Sequence, residues 1–145
     1  MFEPAKYQGK WYEIAKLPFK WEAGCYNTEA SYRWDNEKIN ITNSCIVNNK
    51  YYARSGVAKM EPMDESGFIK FKVLFNDGLP NDGLGDYWIL YTDYYNYSIV
   101  GSSNMDHLWL LSRHRQIEAK DYNLLLKIVN LYGYDTSKLI INKLM

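Results

Sequence analysis

The sequence predicts an all-β protein: an eight-stranded antiparallel up-and-down barrel with one C-terminal α-helix packed outside and a short ninth strand. Three observations carry this expectation. Strand-like runs recur about every 10 to 14 residues with turn residues between them, the rhythm of a sandwich or closed barrel. Aromatics are abundant, with 14 Tyr, 5 Trp and 5 Phe among 145 residues, a bias toward residue types that favour strands and line apolar pockets. One stretch near the C-terminus changes from period two to helical spacing.

The runs are Gly9 to Leu17, Cys25 to Trp34, Lys38 to Val47, Tyr51 to Met60, Phe68 to Phe75, Asp86 to Tyr94, Tyr97 to Ser103 and His107 to Arg113, with Leu139 to Asn142 as the ninth. Asp35-Asn36-Glu37, Asp64-Glu65-Ser66-Gly67 and Tyr95-Asn96 supply turn chemistry between them. Pro4, Pro18, Pro62 and Pro80 all fall between runs, where no ladder hydrogen bond is lost. From Ile117 to Tyr132, Tyr122, Leu125, Leu126, Val129 and Tyr132 recur at helical spacing and make one apolar face, with Gly133 placed to cap the C-terminus. Neither a repeat nor a linker divides the chain, so residues 1–145 are expected to form a single domain.

Charge and composition narrow the function classes. Lys+Arg and Asp+Glu are both 17, which gives no electrostatic footprint for nucleic acid or an anionic surface. No stretch approaches the ~20 apolar residues of a membrane-spanning helix. Cys25 and Cys45, with His107 and His114, lack the spacing of a zinc site, and no cofactor ligand set is visible. The N-terminus shows no signal-peptide pattern, so such a signal is expected to be absent or already removed.

Three short motifs then stand at ends of the expected strands. Gly9-Lys10-Trp11-Tyr12-Glu13-Ile14-Ala15 resembles the first signature of the lipocalins, Thr92-Asp93-Tyr94 the second and Leu111-Ser112-Arg113 the third. The longer stretches Gly85 to Tyr91 and Leu108 to Arg113 are similar to the subgroup of bacterial lipocalins, plant temperature-induced lipocalins and apolipoprotein D, and the resemblance runs from Tyr7 to Lys143. It implies structural roles for Gly9, Trp11, Thr92, Asp93, Tyr94 and Arg113: Trp11 closes the narrow end of the barrel and Arg113 lies across it.

With Trp11 pointing inward, alternation places Glu13, Ala15 and Leu17 on the same face. Matching to the family pattern phases the other strands. The expected ligand-binding residues are Ala30 and Tyr32, Ile41 and Asn43, Tyr52 and Arg54, Val73 and Phe75, Tyr87, Ile89 and Tyr91, Val100, and His107, Trp109 and Leu111. Small inward residues (Ala15, Ala30, Ala58, Ser98) predict room for a ligand. Pairing Tyr32 with Ile39 sets Cys45 inward and Cys25 outward, so a bridge between them requires a bulge.

The loops opposite Trp11 form the mouth. They include the long Asn76 to Gly85 loop, and Phe19 and Trp21, which are candidates for contact with a membrane surface. The resemblance implies binding and transport or storage of a small hydrophobic ligand, a fatty acid or lysophospholipid, by a monomer or weak dimer that is periplasmic, secreted or membrane-associated. Arg54, Tyr52, Tyr87 and His107 are placed to orient an anionic head group. Two alternatives are an isomerase using Cys45 as thiolate and a cavity-filled barrel that acts as an interaction module.

Overall fold

In the computed structural model residues 2–18, 24–75 and 85–141 are described. Phe19, Trp21, Asn142 and the loop from Asn76 to Leu84 lie outside that set, so the expectations placed on them have no structural account. The strands are β1 (Gly9–Lys16), β2 (Tyr26–Asp35), β3 (Lys38–Val47), β4 (Lys50–Met60), β5 (Ile69–Phe75), β6 (Asp86–Thr92), β7 (Tyr97–Gly101), β8 (Leu108–Ser112) and β9 (Ile140–Ile141). Each hairpin neighbour pairs antiparallel, β8 pairs with β1, and β1 pairs with β2, which closes an eight-stranded barrel; β9 adds to the outer end of β1.

Turn chemistry fixes the registers. Val47 pairs with Lys50 across Asn48 and Asn49, both at positive φ, a two-residue turn whose twist matches that of its strands. Asp35 likewise pairs with Lys38 across Asn36-Glu37, with Asn36 at φ 59°. That turn sets Tyr32 opposite Ile41 rather than Ile39. The shift is by two residues, so the inward faces beyond this turn are unchanged.

Among the described residues two α-helices flank the barrel. The short α1 (Pro4–Tyr7) starts on a proline and carries buried Tyr7 under the closed end. The longer α2 (Ala119–Leu131) buries Leu125 and Val129 against Ile14, Ala15, Leu90, Ile99, Leu108 and Leu110 on the outer wall. Gly133, at φ 92°, follows it in the left-handed conformation that ends many helices. There are thus two apolar cores, one inside the barrel and one between barrel and helix.

Three bulges correct the sequence phasing. On β1 the register slips between Glu13 and Ala15, so Ile14 and Ala15 both face α2 and Lys16 turns inward opposite Trp109. Ala15 therefore leaves no room in the barrel, and Leu17 packs in the outer core. On β6 the slip falls between Ile89 and Tyr91, and Tyr91 pairs with outward Ile99 and faces solvent. On β2 it falls between Tyr26 and Glu29, with Asn27 at φ 52°. Each extra residue inverts the alternation on one side of it.

Candidate ligand-binding site

The closed end is built by side chains that satisfy one another. Trp11 is fully buried and its Nε1–H donates to the Tyr7 carbonyl at 2.9 Å. The Arg113 guanidinium lies over the Trp11 ring at 3.7 Å and donates to the carbonyls of Tyr94, Lys10, Lys6 and Tyr7 at 2.9–3.2 Å. Burial lowers its pKa, yet the stacked ring and four carbonyls replace the lost water. Gly9 sits at φ 102°, and a Cβ there would meet Arg113 Nη1 at 3.3 Å, so its conformation and the close approach both call for glycine. The Asp93 carboxylate accepts from the backbone N–H groups of Asn96 and Tyr97, Thr92 Oγ1 donates to the Tyr97 carbonyl, and Tyr94 takes φ 67°. These six residues hold a turn and a lid together.

Above this lid runs a chain of buried hydroxyls. Tyr87 donates to Tyr32 at 2.8 Å, which uses its one proton. The 2.8 Å contact between Tyr7 and Tyr87 therefore has Tyr7 as donor, and the 2.7 Å contact between Ser98 and Tyr7 has Ser98 as donor. The chain is directional, running from Ser98 through Tyr7 and Tyr87 to Tyr32. Burial pushes Tyr7 up to about 12 and Tyr87 well above its usual value. The Tyr87 hydroxyl, expected beside a head group, is instead committed to this chain.

Toward the mouth the barrel opens into a largely apolar cavity. Ala30, Tyr32, Ile41, Asn43, Tyr52, Arg54, Val73, Phe75, Tyr87, Val100, Trp109 and Leu111 all line it. Ile89 is buried and belongs to the core of the closed end; Tyr91 faces outward because of the β6 bulge. His107 precedes β8, so strand alternation does not govern it; it stacks on Trp109 with ring centroids 5.7 Å apart and does not line the cavity. Of the small residues, Ala30 faces the space, Ala58 is buried in the inner core, and Ser98 is bonded to Tyr7.

Alternation misplaced two further groups, Cys25 and Lys16, whose partners Cys45 and Glu13 it had placed inward. Cys25 and Cys45 form a disulfide, Cα atoms 5.5 Å apart, and both line the cavity. The expectation of an outward Cys25 fails because the β2 bulge brings it to the inner face. Glu13 and Lys16 form a buried ion pair, Nζ to Oε1 3.6 Å, beside Trp109; the signal for Lys16 would have been the bulge, which leaves no mark in polarity. The Arg54 guanidinium stacks on Phe75 at 4.1 Å. Among the described residues no cluster of three His, Cys, Asp or Glu side chains could hold a metal ion.

A closed antiparallel barrel with a sealed floor, an outer helix and a largely apolar cavity is an architecture with room for one small hydrophobic molecule. The model of the lipocalin-like domain matches residues 2–143, and the chain belongs to the lipocalin family, which binds small hydrophobic ligands. It is 37% identical over 142 residues to the putative lipocalin R877 of Acanthamoeba polyphaga mimivirus, which covers 94% of this chain and 82% of that protein. Temperature-induced lipocalin-1 of Arabidopsis thaliana is 34% identical over 139 residues, 92% of this chain and 75% of its own. Insecticyanin from the tobacco hornworm Manduca sexta superposes with a TM-score of 0.71 at 25% identity, over 99% of this chain and 82% of that one. These relatives come from a family of binding and transport proteins. Cys45, bonded to Cys25, has no thiol to ionise, which removes the nucleophile of the isomerase alternative.

Proposed function

We propose that the barrel binds an amphiphile with an anionic head, a fatty acid or lysophospholipid, for transport or storage. The observation that carries this reading is Arg54, a cation on the wall of an otherwise largely apolar cavity, with its guanidinium over the Phe75 ring and with Asn43 and Tyr52 on the same wall. A guanidinium carries a planar fork of N–H donors, the geometry that pairs with a carboxylate or phosphate. An acyl chain then fills the space lined by Ile41, Val73, Val100 and Leu111.

The disulfide supports an oxidising compartment, periplasmic or extracellular. Outer membrane lipoprotein Blc of Vibrio cholerae, 29% identical, is named for the outer membrane. Contact of the mouth with a membrane surface through Phe19 and Trp21, and a monomeric or weakly dimeric state, belong to the same proposal.

The test is competition of palmitate and methyl palmitate against a fluorescent fatty-acid probe, on the wild type and on Arg54→Met, which keeps much of the stem volume without the charge. The acid should bind about ten- to a hundredfold tighter than the ester, the worth of one charge-assisted hydrogen bond in a partly desolvated site, and the substitution should erase the difference. Equal affinities in the wild type, or an undiminished preference in Arg54→Met, would refute the head-group role.

A further inference from the structure

Two strands round the wall from Arg54 stands a polar group that the proposed function leaves unused. Thr28 is only 8% exposed and lines the cavity, and its buried Oγ1 has no hydrogen-bond partner among the described residues. Its surroundings are polar. Trp11 pairs with Ala30 and Tyr12 with Glu29, and Glu13 and Thr28, the next residues past that pairing, both line the cavity. The β1 bulge brings Lys16 to the same face, within 3.6 Å of the Glu13 carboxylate.

A buried hydroxyl without a partner is destabilising, and valine has the same shape without that penalty. Threonine at this position gains its partner when something polar enters the cavity. The local chemistry says what that is: a carboxylate that accepts, an ammonium that donates, and a threonine hydroxyl that does either. An alcohol group both donates and accepts, and it adds no net charge beside the ion pair.

We propose that Thr28, with Glu13 and Lys16, forms a second polar subsite that receives a hydroxyl carried on the chain of the ligand. The preferred ligands are then hydroxylated amphiphiles, with one polar end near Arg54 and an alcohol at the β1–β2 wall. The inference deepens the function proposed above and rests on it for the position of the anionic end.

The test titrates ω-hydroxypalmitate against palmitate, and ricinoleate, which carries a mid-chain hydroxyl, against oleate, on the wild type, Thr28→Val and Thr28→Ser. At least one hydroxy acid should bind about fivefold to tenfold tighter than its plain partner, the worth of one neutral hydrogen bond in a site where its loss leaves a group unsatisfied. That ratio should fall to near one in Thr28→Val and be kept in Thr28→Ser, which retains the hydroxyl. A ratio near one for both pairs in the wild type, or an undiminished ratio in Thr28→Val, overturns the subsite. Binding of the hydroxy acids with none of the plain acids would count against the Arg54 reading and in favour of this one. Acid binding governed by Arg54 without any hydroxyl preference would leave the Arg54 reading intact and refute this one.

Discussion

Replacing Trp11 by alanine tests the closed end of the barrel. The ring has no exposure, packs against Tyr7 with centroids 5.2 Å apart, and supports the Arg113 guanidinium at 3.7 Å. Truncation of a fully buried aromatic costs about 3–5 kcal/mol, and loss of the partly desolvated cation–π contact puts the value in the upper half of that range. Arg113 keeps its four carbonyl partners, so no charge is stranded. The Tyr7 carbonyl loses the indole donor and retains Arg113 Nη2. The cost is therefore mainly a packing cost, and Trp11→Phe, which refills much of the space, should lose only about 1–2 kcal/mol. Urea unfolding followed by far-ultraviolet circular dichroism measures both, and the alanine variant should also melt about 10 °C or more lower. A loss below about 1 kcal/mol for Trp11→Ala would show that the ring does not seal the barrel, and equal losses for both variants would show that its volume is not what matters.

Two further predictions concern groups inside the wall. Tyr7, held at about 12 against an ordinary 10.0, is kept neutral by the fold, so its contribution is complete below pH 10 and disappears as pH rises through 12. The two-unit gap corresponds to about 2–3 kcal/mol, and urea titrations at about pH 9 and pH 11 should show the stability gap between wild type and Tyr7→Phe narrowing; parallel losses would refute the assignment. Reduction of Cys25–Cys45, which spans 20 residues, should lower stability by about 3 kcal/mol on the loop-entropy estimate. Unfolding with and without reductant checks it, and a Cys25→Ser/Cys45→Ser protein as stable as the oxidised wild type would contradict it.

Much of the barrel is written in the residues themselves. Alternation located all eight barrel strands, and the inward phase of β3, β4, β5 and β7 survives unaltered because those strands run without slips. Tyr91, Ala15 and Cys25 were misplaced for one shared reason. A bulge adds a residue without changing polarity, so the pattern on one side of it inverts with no compositional trace. Asn27 is the faint exception, since asparagine tolerates the left-handed conformation that it adopts there. Tyr7 lies in a four-residue helix, too short for any periodicity to show which way its ring points. Arg54 was legible as a cavity residue because its strand is regular, whereas the inward turn of Lys16, three residues after Glu13 and past the bulge, was not.

Along β1 the chain changes allegiance twice within four residues: Glu13 lines the cavity, Ile14 and Ala15 belong to the helix, and Lys16 turns back to pair with Glu13. One strand thus serves two cores, and the slip lets each take the side chains it needs without obliging the other to follow. A substitution at Ile14 or Ala15 is a matter for the seating of α2, and one at Glu13 or Lys16 a matter for what the barrel holds. The lineage of such a chain could exchange its cargo while leaving its helix in place, since the strand that builds both surfaces keeps their vocabularies apart.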